Sequence, residues 1–183
     1  MHHIIHSSGY YVQHFDLLMG VASYLNDNLN FCDSPQSAIG PATAAKPLTI
    51  PKGIQLAEYR QSGFYKAHSD NSLTDEISSE TKVRIRSNYR HYTCILYCND
   101  NWNDKDGGAL RIYPGSRNVL RADDAKDSCN FQDIHPYNGR MIIFDSCLVH
   151  SVEPVTHSDK LRRALTIWIN RPEDSGVRGE KFF

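Results

Sequence analysis

A histidine and an aspartate two residues apart, His68 and Asp70, could hold a metal ion. They fall near the end of a segment with β-strand composition. Side chains two apart on a strand point to the same face, so both could reach one ion. The pair alone is weak evidence, because the chain has nine histidines and this spacing can arise by chance. A surface histidine beside an aspartate in a turn explains the pair equally well.

A third histidine completes a possible ligand set. The apolar segment Met141–Phe144 runs into a loop, and His150 then opens the segment His150–Pro154. Two histidines and one carboxylate on one face of an octahedron leave three positions open, which is the arrangement of non-haem iron oxygenases. The same three ligands could also serve a catalytic zinc, so the triad alone leaves the metal undecided.

The final segment of β type supplies a basic residue that could bind an anion. Arg162, Thr166 and Trp168 share one face of it, and the other face is apolar apart from Arg163. The apolar face would pack against a helix layer, which directs Arg162 to the interior. A buried guanidinium is costly unless it is paired. Since the sequence shows no obvious buried acid other than Asp70, a ligand carboxylate is its natural partner, unless the arginine is simply exposed.

A tyrosine on a second apolar segment fits the same interpretation. Tyr97 shares one face of its predicted strand with Thr93 and Ile95. Its phenol could donate a hydrogen bond to the carboxylate that Arg162 binds. The alternative is a core aromatic residue whose hydroxyl reaches the rim of the core.

The bulk composition is typical of one globular domain. The chain has 183 residues, 40% of them hydrophobic, and a formal net charge of -1. Near-neutral charge disfavours nucleic acid and anionic membranes as partners. We find no apolar run of membrane-spanning length and no leader, so we expect a cytoplasmic or nuclear protein. Five cysteines without paired spacing indicate reduced, buried thiols.

The elements that must position these residues are a leading helix and a series of strands within a single domain, residues 1–183. Helical spacing covers residues 10–30, a loop covers Cys32–Lys52, and the tail Arg171–Phe183 is expected to be loosely held. The β core spans about residues 54–170, and the absence of crossover helices favours an antiparallel sandwich or barrel. The predicted strands lie near Ile54–Tyr59, Phe64–Asp70, Tyr92–Cys98, Ala109–Tyr113, Arg140–Phe144, His150–Pro154 and Arg162–Asn170, with a weaker one near Val119.

Taken in order, five segments resemble the prolyl 4-hydroxylase group of 2-oxoglutarate oxygenases. The likeness is greatest to the hypoxia-sensing prolyl hydroxylases and their bacterial relatives, and it covers roughly Ile54 to Asn170. It implies a mainly β protein with a double-stranded β-helix (jelly-roll or cupin-like) and a supporting N-terminal helix. The segments that carry it are residues 68–70, 90–97, 102–114, 150–154 and 162–168.

The resemblance also implies an activity and its residues. The expected enzyme is an oxidoreductase that uses Fe(II), 2-oxoglutarate and dioxygen, with L-ascorbate as a further candidate cofactor. Its expected partner is a protein or peptide substrate containing proline, which it hydroxylates with release of succinate and carbon dioxide. The implied residues are the iron ligands His68, Asp70 and His150, the cosubstrate-binding Arg162, Tyr97, Tyr59 and Thr166, and the substrate-side Tyr65, Arg90 and Trp168.

Two alternative functions stay open at this point. One is the same reaction on a free amino acid or another small molecule. The other is a cupin-type module that binds a metal or ligand without turnover. The intact triad with Arg162 disfavours such a module, because a binder has no need of a paired cosubstrate anchor.

Several segments depart from the family pattern or carry other signals. The stretch Asn71–Asn88 is longer than in the hypoxia-sensing enzymes, which leaves substrate choice open because loops at a barrel mouth usually set it. We interpret the basic run Lys82–Arg86 as the exposed face of a hairpin rather than as a surface that binds an acidic peptide or a nucleic acid backbone. We expect the terminal His2, His3 and His6 to be flexible rather than ligands.

Overall fold

The computed structural model describes residues 2–5, 18, 20–21, 23–25, 27–28, 48–49, 53–77, 82–119, 121–126 and 130–171. Helical structure is found at the described positions between 18 and 28, in two 3₁₀ turns (Asp104–Asp106 and Pro114–Ser116) and in a short helix (Ala122–Lys126). None of the described helices is long and apolar enough to cross a membrane. The described strands are β1 (His2–Ile5), β2 (Ile54–Tyr59), β3 (Tyr65–His68), β4 (Leu73–Ile77), β5 (Lys82–Arg86), β6 (Arg90–Tyr97), β7 (Leu110–Ile112), β8 (Gln132–Ile134), β9 (Met141–Asp145), β10 (His150–Val152) and β11 (Arg162–Asn170).

Two antiparallel sheets form the body of the molecule. The larger sheet has the strand order β1-β2-β11-β6-β9, and the smaller has the order β3-β10-β7-β8. Strands β4 and β5 pair with each other in a separate hairpin. The predicted double-stranded β-helix is confirmed, and the seven main predicted strands are found with ends shifted by at most two residues.

Strand β11 lies in the middle of the larger sheet, between β2 and β6. Its register places Arg162 opposite Tyr59 on one side and Ala164 opposite Tyr97 on the other. Because side chains alternate along a strand, β11 sends Arg162 and Trp168 to the inside of the molecule and Ile167 to the outside. From Ala164 to Ile169 both faces of this strand are therefore largely covered, and all but one of these six residues are apolar.

The helical segment covers the outer face of the larger sheet, as the sequence predicted. Leu18, Val21 and Leu25 are buried against a cluster that includes Ile167 and Ile169. Burial of each such side chain contributes roughly 1.5–3 kcal/mol, so this layer anchors the sheet from behind. The rest of the predicted helix, including residues 10–17, lies outside the described residues.

A second cluster fills the space between the two sheets. Ile95 and Phe144 of the larger sheet pack on Leu110 and Ile112 of the smaller one. Tyr97 belongs to the same cluster and is almost completely buried. This inner core ends at the cavity described below, so the packing that joins the sheets also supports the site.

The described cysteines agree with the prediction of buried reduced thiols. Cys94, Cys98 and Cys147 are free, and the first and last of these are buried. Burial raises the pKa of Cys94 to about 12. Burial, with help from Asp145, raises the pKa of Cys147 to about 11. Both side chains therefore stay protonated near neutral pH and behave as small apolar groups.

The prediction of a weaker strand near Val119 is wrong. Pro114 begins a 3₁₀ turn there, and the backbone N–H of Val119 donates to the carbonyl of Ser116 at 3.1 Å. Proline suits the first position of a helical turn because its ring fixes φ and it has no N–H to leave unsatisfied. The short helix Ala122–Lys126 and strand β8 follow, and neither was predicted from the sequence.

The remaining expectations are met in part. His2 and His3 lie in β1, paired with Ala57 and Leu56, and His6 lies outside the described residues, so the expected flexibility of these histidines stays a prediction. The basic run Lys82–Arg86 is one strand of a hairpin, as predicted. Within the predicted loop Cys32–Lys52 the structure describes only positions 48–49, and of the tail from residue 171 it describes only that residue.

Candidate active site

The register of the smaller sheet brings the two predicted histidine ligands together. Strand β3 ends at His68, strand β10 begins at His150, and these residues are direct partners in the antiparallel pairing. Their ring centroids are 4.3 Å apart. Asp70 lies in the turn after β3 rather than on the strand, so the prediction that strand alternation aligns it with His68 is wrong. The turn brings the carboxylate beside both rings instead.

The three side chains form a group that fits one metal ion. One ligand atom from each lies within 4.8 Å of the others. The His68 and His150 Nε2 atoms are each 3.6 Å from a carboxylate oxygen of Asp70, too far for a hydrogen bond and close enough to share an ion. Their Nδ1 atoms lie 2.9 and 3.0 Å from the carbonyls of Lys66 and Leu148, which leaves Nε2 free to coordinate.

A hydroxyl relay holds the Asp70 carboxylate in place. The Thr93 hydroxyl donates to Oδ2 of Asp70 at 2.6 Å, and the Ser146 hydroxyl lies 2.9 Å from that of Thr93. Burial alone would raise the pKa of Asp70, but His68, His150 and Thr93 outweigh it, and the pKa lies well below its ordinary value. The carboxylate is thus ionised and oriented, as a metal ligand must be.

We expect Thr93→Val to weaken binding of a divalent metal by about 10- to 100-fold, the usual loss when a hydrogen bond to a metal ligand is removed. Valine keeps the shape of threonine but leaves Asp70 without its donor. Anaerobic titration with Fe(II) or Mn(II) measures the effect. Thr49→Val, the same substitution at an exposed position that is not part of the cavity lining, is the control. Equal metal affinity in both variants would show that the relay does not support Asp70.

A cavity of about 430 Å³ lies between the two sheets and contains the triad. It also collects the predicted cosubstrate and substrate residues, with the exception of Tyr97, which lies in the core next to Arg162. Further polar residues come from the hairpin that begins after Asp70. The lining includes His68, Asp70, His150, Arg162, Tyr59, Thr166, Tyr65, Arg90, Trp168, Thr93, Ser72, Ser87 and Asn88.

Arg162 is a buried cation that faces this cavity, with only 2% of its surface exposed. Its Nε donates to the carbonyl of Gly108 at 2.6 Å, and its guanidinium lies 5.2 and 5.1 Å from the rings of Tyr59 and Tyr97. Burial lowers the pKa of Arg162 and the two tyrosines oppose this, yet a guanidinium stays charged in proteins. Among the described residues it pairs with no carboxylate, so the cavity presents an unneutralised positive charge.

The hydroxyl of Tyr97 is also unsatisfied. It is buried and has no hydrogen-bond partner among the described residues. Burial raises the pKa of Tyr97, partly offset by Arg162, so the group is a neutral donor. An unpaired buried cation beside an unpaired buried donor is the complement of a ligand carboxylate.

The prediction that Asp70 is the only buried acid is wrong, because Asp106 is buried as well. Asp106 is nevertheless not the partner of Arg162. Asp106 is 2% exposed, but Lys160 donates to it at 2.7 Å and the backbone N–H of Asn103 donates at 2.8 Å. This carboxylate is therefore already satisfied. Asp106 belongs to the turn before β7 and does not neutralise the charge of Arg162.

The predicted substrate-side residues Tyr65, Arg90 and Trp168 also line the cavity. The guanidinium of Arg90 lies 4.0 Å above the ring of Trp168, and Tyr65 is 38% exposed with its ring 4.6 Å from that of His68. The indole N–H of Trp168 is buried without a partner among the described residues. The structure thus brings these side chains into the same cavity as the triad, and their roles remain proposals.

Thr93, Ser146 and Gly108 are among the site residues that were not assigned from the sequence. Thr93 carried a signal, since it is a hydroxyl on the same face of an apolar strand as Tyr97. Ser146 and Gly108 carried none that distinguishes them from ordinary turn residues. Both act through contacts across the fold, with partners 53 and 54 residues away along the chain.

The fold and the cavity place the chain in a class of proteins. Its members have a double-stranded β-helix in which two histidines and one carboxylate bind a non-haem metal. The family model described as the 2OG-Fe(II) oxygenase superfamily matches residues 54–170, well over half of the chain. The chain therefore belongs to the 2OG-Fe(II) oxygenase superfamily. The sequence-based expectation of Fe(II), 2-oxoglutarate and dioxygen is confirmed at the level of this family.

Individual relatives agree with the resemblance found in the sequence. The chain is 32% identical to prolyl hydroxylase EGLN3 of Homo sapiens over 96 residues, 51% of this chain and 34% of that protein. It is 34% identical to the hypoxia-inducible factor prolyl hydroxylase of Caenorhabditis elegans over 117 residues, 62% of this chain and 12% of that one. A prolyl hydroxylase structure from Trichoplax adhaerens, solved with a hypoxia inducible factor peptide, has a TM-score of 0.60 at 20% identity, covering 93% of this chain and 63% of that one. The chain thus spans well under half of its curated relatives.

Proposed function

We propose that this chain is a dioxygenase that couples oxidative decarboxylation of 2-oxoglutarate to hydroxylation of a prolyl residue in a protein or peptide. The observation that carries the proposal is the buried Arg162, which pairs with no carboxylate of the described residues and shares a cavity with the His68, Asp70 and His150 group. A metal triad alone would suit many proteins. The nearby guanidinium of Arg162 favours a small ligand that carries a carboxylate.

The residues of the site divide the work. When bound, iron(II) and 2-oxoglutarate supply dioxygen activation, in which one oxygen atom enters succinate, the other enters the substrate C–H bond, and carbon dioxide leaves. His68, Asp70 and His150 hold the metal and leave open positions for the other reactants. Arg162 binds the distant carboxylate of the cosubstrate, and Tyr97 donates to it. Such charge-assisted bonds contribute about 1.5–3 kcal/mol each.

Tyr59 and Thr166 complete the proposed cosubstrate site. Both line the cavity, and Tyr59 is the cross-strand neighbour of Arg162. Its ring covers one side of the guanidinium and helps to exclude water from the charge-assisted contacts. Fixed groups in a water-poor cavity bind a charged ligand more strongly than mobile groups at a surface would.

The proposed substrate is a macromolecule, supported by the names of the relatives and by the side chains that line the cavity. Arg90 stacks on Trp168 in the cavity lining, and Tyr65 is partly exposed beside His68. An aromatic ring whose indole N–H has no partner among the described residues suits a proline ring and its neighbouring peptide carbonyl. A cytoplasmic or nuclear location and a role for L-ascorbate remain predictions from the sequence.

Mass spectrometry of proline-containing peptides tests the substrate. The purified chain with Fe(II), 2-oxoglutarate and dioxygen should add one oxygen atom to a prolyl residue, and Asp70→Ala should add none. Free proline and other amino acids are incubated in parallel. Oxidation of the free amino acid alone would favour the small-molecule alternative, because the cavity of about 430 Å³ has room for a compact ligand beside the cosubstrate.

The hairpin formed by β4 and β5 should act on the substrate rather than on the metal. Its base carries Ser72 and Ser87, whose hydroxyls lie 3.2 Å apart and which both line the cavity. Arg86 ties this base to the body by donating to the carbonyls of Asn71 and Arg117. Mobile elements beside an active site can close over a bound substrate.

We therefore expect a shortened hairpin to lower kcat/KM for a peptide substrate by about tenfold or more, while decarboxylation of 2-oxoglutarate without peptide is retained. Thr74 and Ile85 are cross-strand partners, so residues 75–84 can be replaced by an Asn-Gly turn that keeps the register. Succinate release is measured with and without peptide. Equal loss of both activities would assign the hairpin to the metal site or to stability instead.

A further inference from the structure

Two successive glycines before β7 adopt backbone conformations that other residues rarely take. Gly107 and Gly108 have φ angles of +72° and +66°. They follow the 3₁₀ turn Asp104–Asp106 and lead directly into the strand that packs on the inner core. A side chain at either position would have to occupy the left-handed region, which is strained for any residue with a Cβ atom.

Gly108 is also fitted to the side chain of Arg162. Its carbonyl accepts the Nε–H of Arg162 at 2.6 Å. A Cβ atom at Gly108 would lie 2.8 Å from Cδ and 3.3 Å from Nε of Arg162, and 3.2 Å from Cγ2 of Val155. A side chain here would push against the arginine whose guanidinium faces the cavity.

The turn that carries Gly108 is held from several sides. Asp106 and Asn103 cap each other reciprocally, and Lys160 adds an ion pair to Asp106 at 2.7 Å. The backbone N–H of Gly108 donates to the carbonyl of Pro154 at 3.0 Å. The carbonyl that receives Arg162 is therefore a fixed point rather than part of a mobile loop.

We propose that Gly108 is a positioning residue that aims the guanidinium of Arg162 at the far carboxylate of 2-oxoglutarate. Its carbonyl engages Nε–H, so the remaining four N–H donors of the planar group stay available for the ligand. The missing side chain leaves the arginine stem room to lie along the turn. This inference rests on the proposed function, because it concerns the cosubstrate that Arg162 binds.

Titration calorimetry of the Mn(II)-loaded protein with 2-oxoglutarate, without dioxygen, tests the inference without turnover. Gly108→Ala should raise the Kd for 2-oxoglutarate about tenfold or more, with the Kd for Mn(II) unchanged. Gly139→Ala is the matched control, since Gly139 has a φ of +74° but nothing within 4 Å of a Cβ atom. It imposes a similar backbone strain without touching Arg162, and its Kd for 2-oxoglutarate should stay at the wild-type value.

A double variant separates the effect on Arg162 from general damage. In the Arg162→Ala background, Gly108→Ala should change the Kd for 2-oxoglutarate by less than about twofold, because the side chain it displaces is gone. For the same reason the double variant should melt at a higher temperature than Gly108→Ala alone. If Gly108→Ala fails to fold, this recovery of folding in the double variant is the expected result that supports the inference.

The outcomes distinguish the two proposals. Wild-type affinity for 2-oxoglutarate in Gly108→Ala, or the same loss on top of Arg162→Ala, would overturn the positioning role while leaving the proposed function standing. A double variant that stays unfolded when Gly139→Ala folds would also overturn it. A wild-type protein that binds Mn(II) but not 2-oxoglutarate would overturn the proposed function, and the positioning role with it.

Discussion

Arg162→Ala is expected to raise the Kd and the apparent Michaelis constant for 2-oxoglutarate by an amount worth about 2–4 kcal/mol. The Arg162 side chain is buried, lines the cavity and pairs with no acid of the described residues, so a cosubstrate carboxylate would be its ionic partner. Its removal leaves that carboxylate in a poorly solvated site without a counter-charge. Metal affinity should change little, because Arg162 contacts none of the three metal-binding side chains in the described hydrogen bonds and ion pairs. Calorimetry and succinate kinetics measure the two effects separately.

The neighbouring arginine provides the control. Arg163 points to the opposite face of β11, where it is exposed and forms an ion pair with Glu58 at 2.7 Å. Such surface pairs contribute about 0–1 kcal/mol to stability. Arg163→Ala should therefore lower the stability only slightly and leave the Kd for 2-oxoglutarate unchanged. Arg162→Lys should recover only part of the affinity, because an ammonium cannot reproduce the planar fork. Damage from Arg163→Ala with a harmless Arg162→Ala would contradict the assignment.

Substitution of any one metal-binding side chain by alanine should abolish iron-dependent turnover. His68→Ala and His150→Ala each remove one nitrogen ligand, and Asp70→Ala removes the only negative charge of the group. Two remaining ligands hold a divalent metal too weakly to orient the other reactants. The expected loss is the entire iron-dependent rate, measured as succinate formation, with metal affinity reduced in parallel.

The fold should survive these changes, which circular dichroism and thermal melting can verify. In Asp70→Ala the Thr93 hydroxyl keeps Ser146 as a partner at 2.9 Å, and because Thr93 lines the cavity, water can accept from the O–H that loses the Asp70 carboxylate. His135→Ala is a suitable control, because His135 lies near Asp104 and does not line the cavity. Wild-type succinate formation by His68→Ala, Asp70→Ala or His150→Ala would remove that residue from the ligand set.

The parts of the site on regular strands could be predicted from the sequence, because strand alternation specifies which side chains share a face. Along β11 this places Arg162 and Thr166 toward the cavity and Ile167 toward the helix layer, as the structure shows. The pairing of His68 with His150 could not be read in the same way. It depends on which strands are neighbours, and a sequence pattern fixes faces rather than neighbours.

The parts that escaped prediction depend on turns and on distant contacts. Asp70 reaches the ligand group through a turn after β3, and Val119 follows a helical turn that Pro114 begins. Strand β8 has only three residues, too few to show an alternating pattern. Gly108 looked like an ordinary turn glycine, because its partner Arg162 lies 54 residues away in the chain.

The central claim is that this chain turns over 2-oxoglutarate with Fe(II) and dioxygen at the His68, Asp70 and His150 group. Succinate formation by the purified chain, supplied with Fe(II), 2-oxoglutarate and a proline-containing peptide, tests it most directly. We expect succinate to form in step with dioxygen consumption, to disappear on chelation of iron, and to be absent in Asp70→Ala. Succinate formation no greater than that of Asp70→Ala, from a folded wild-type chain that binds Fe(II), would contradict the claim.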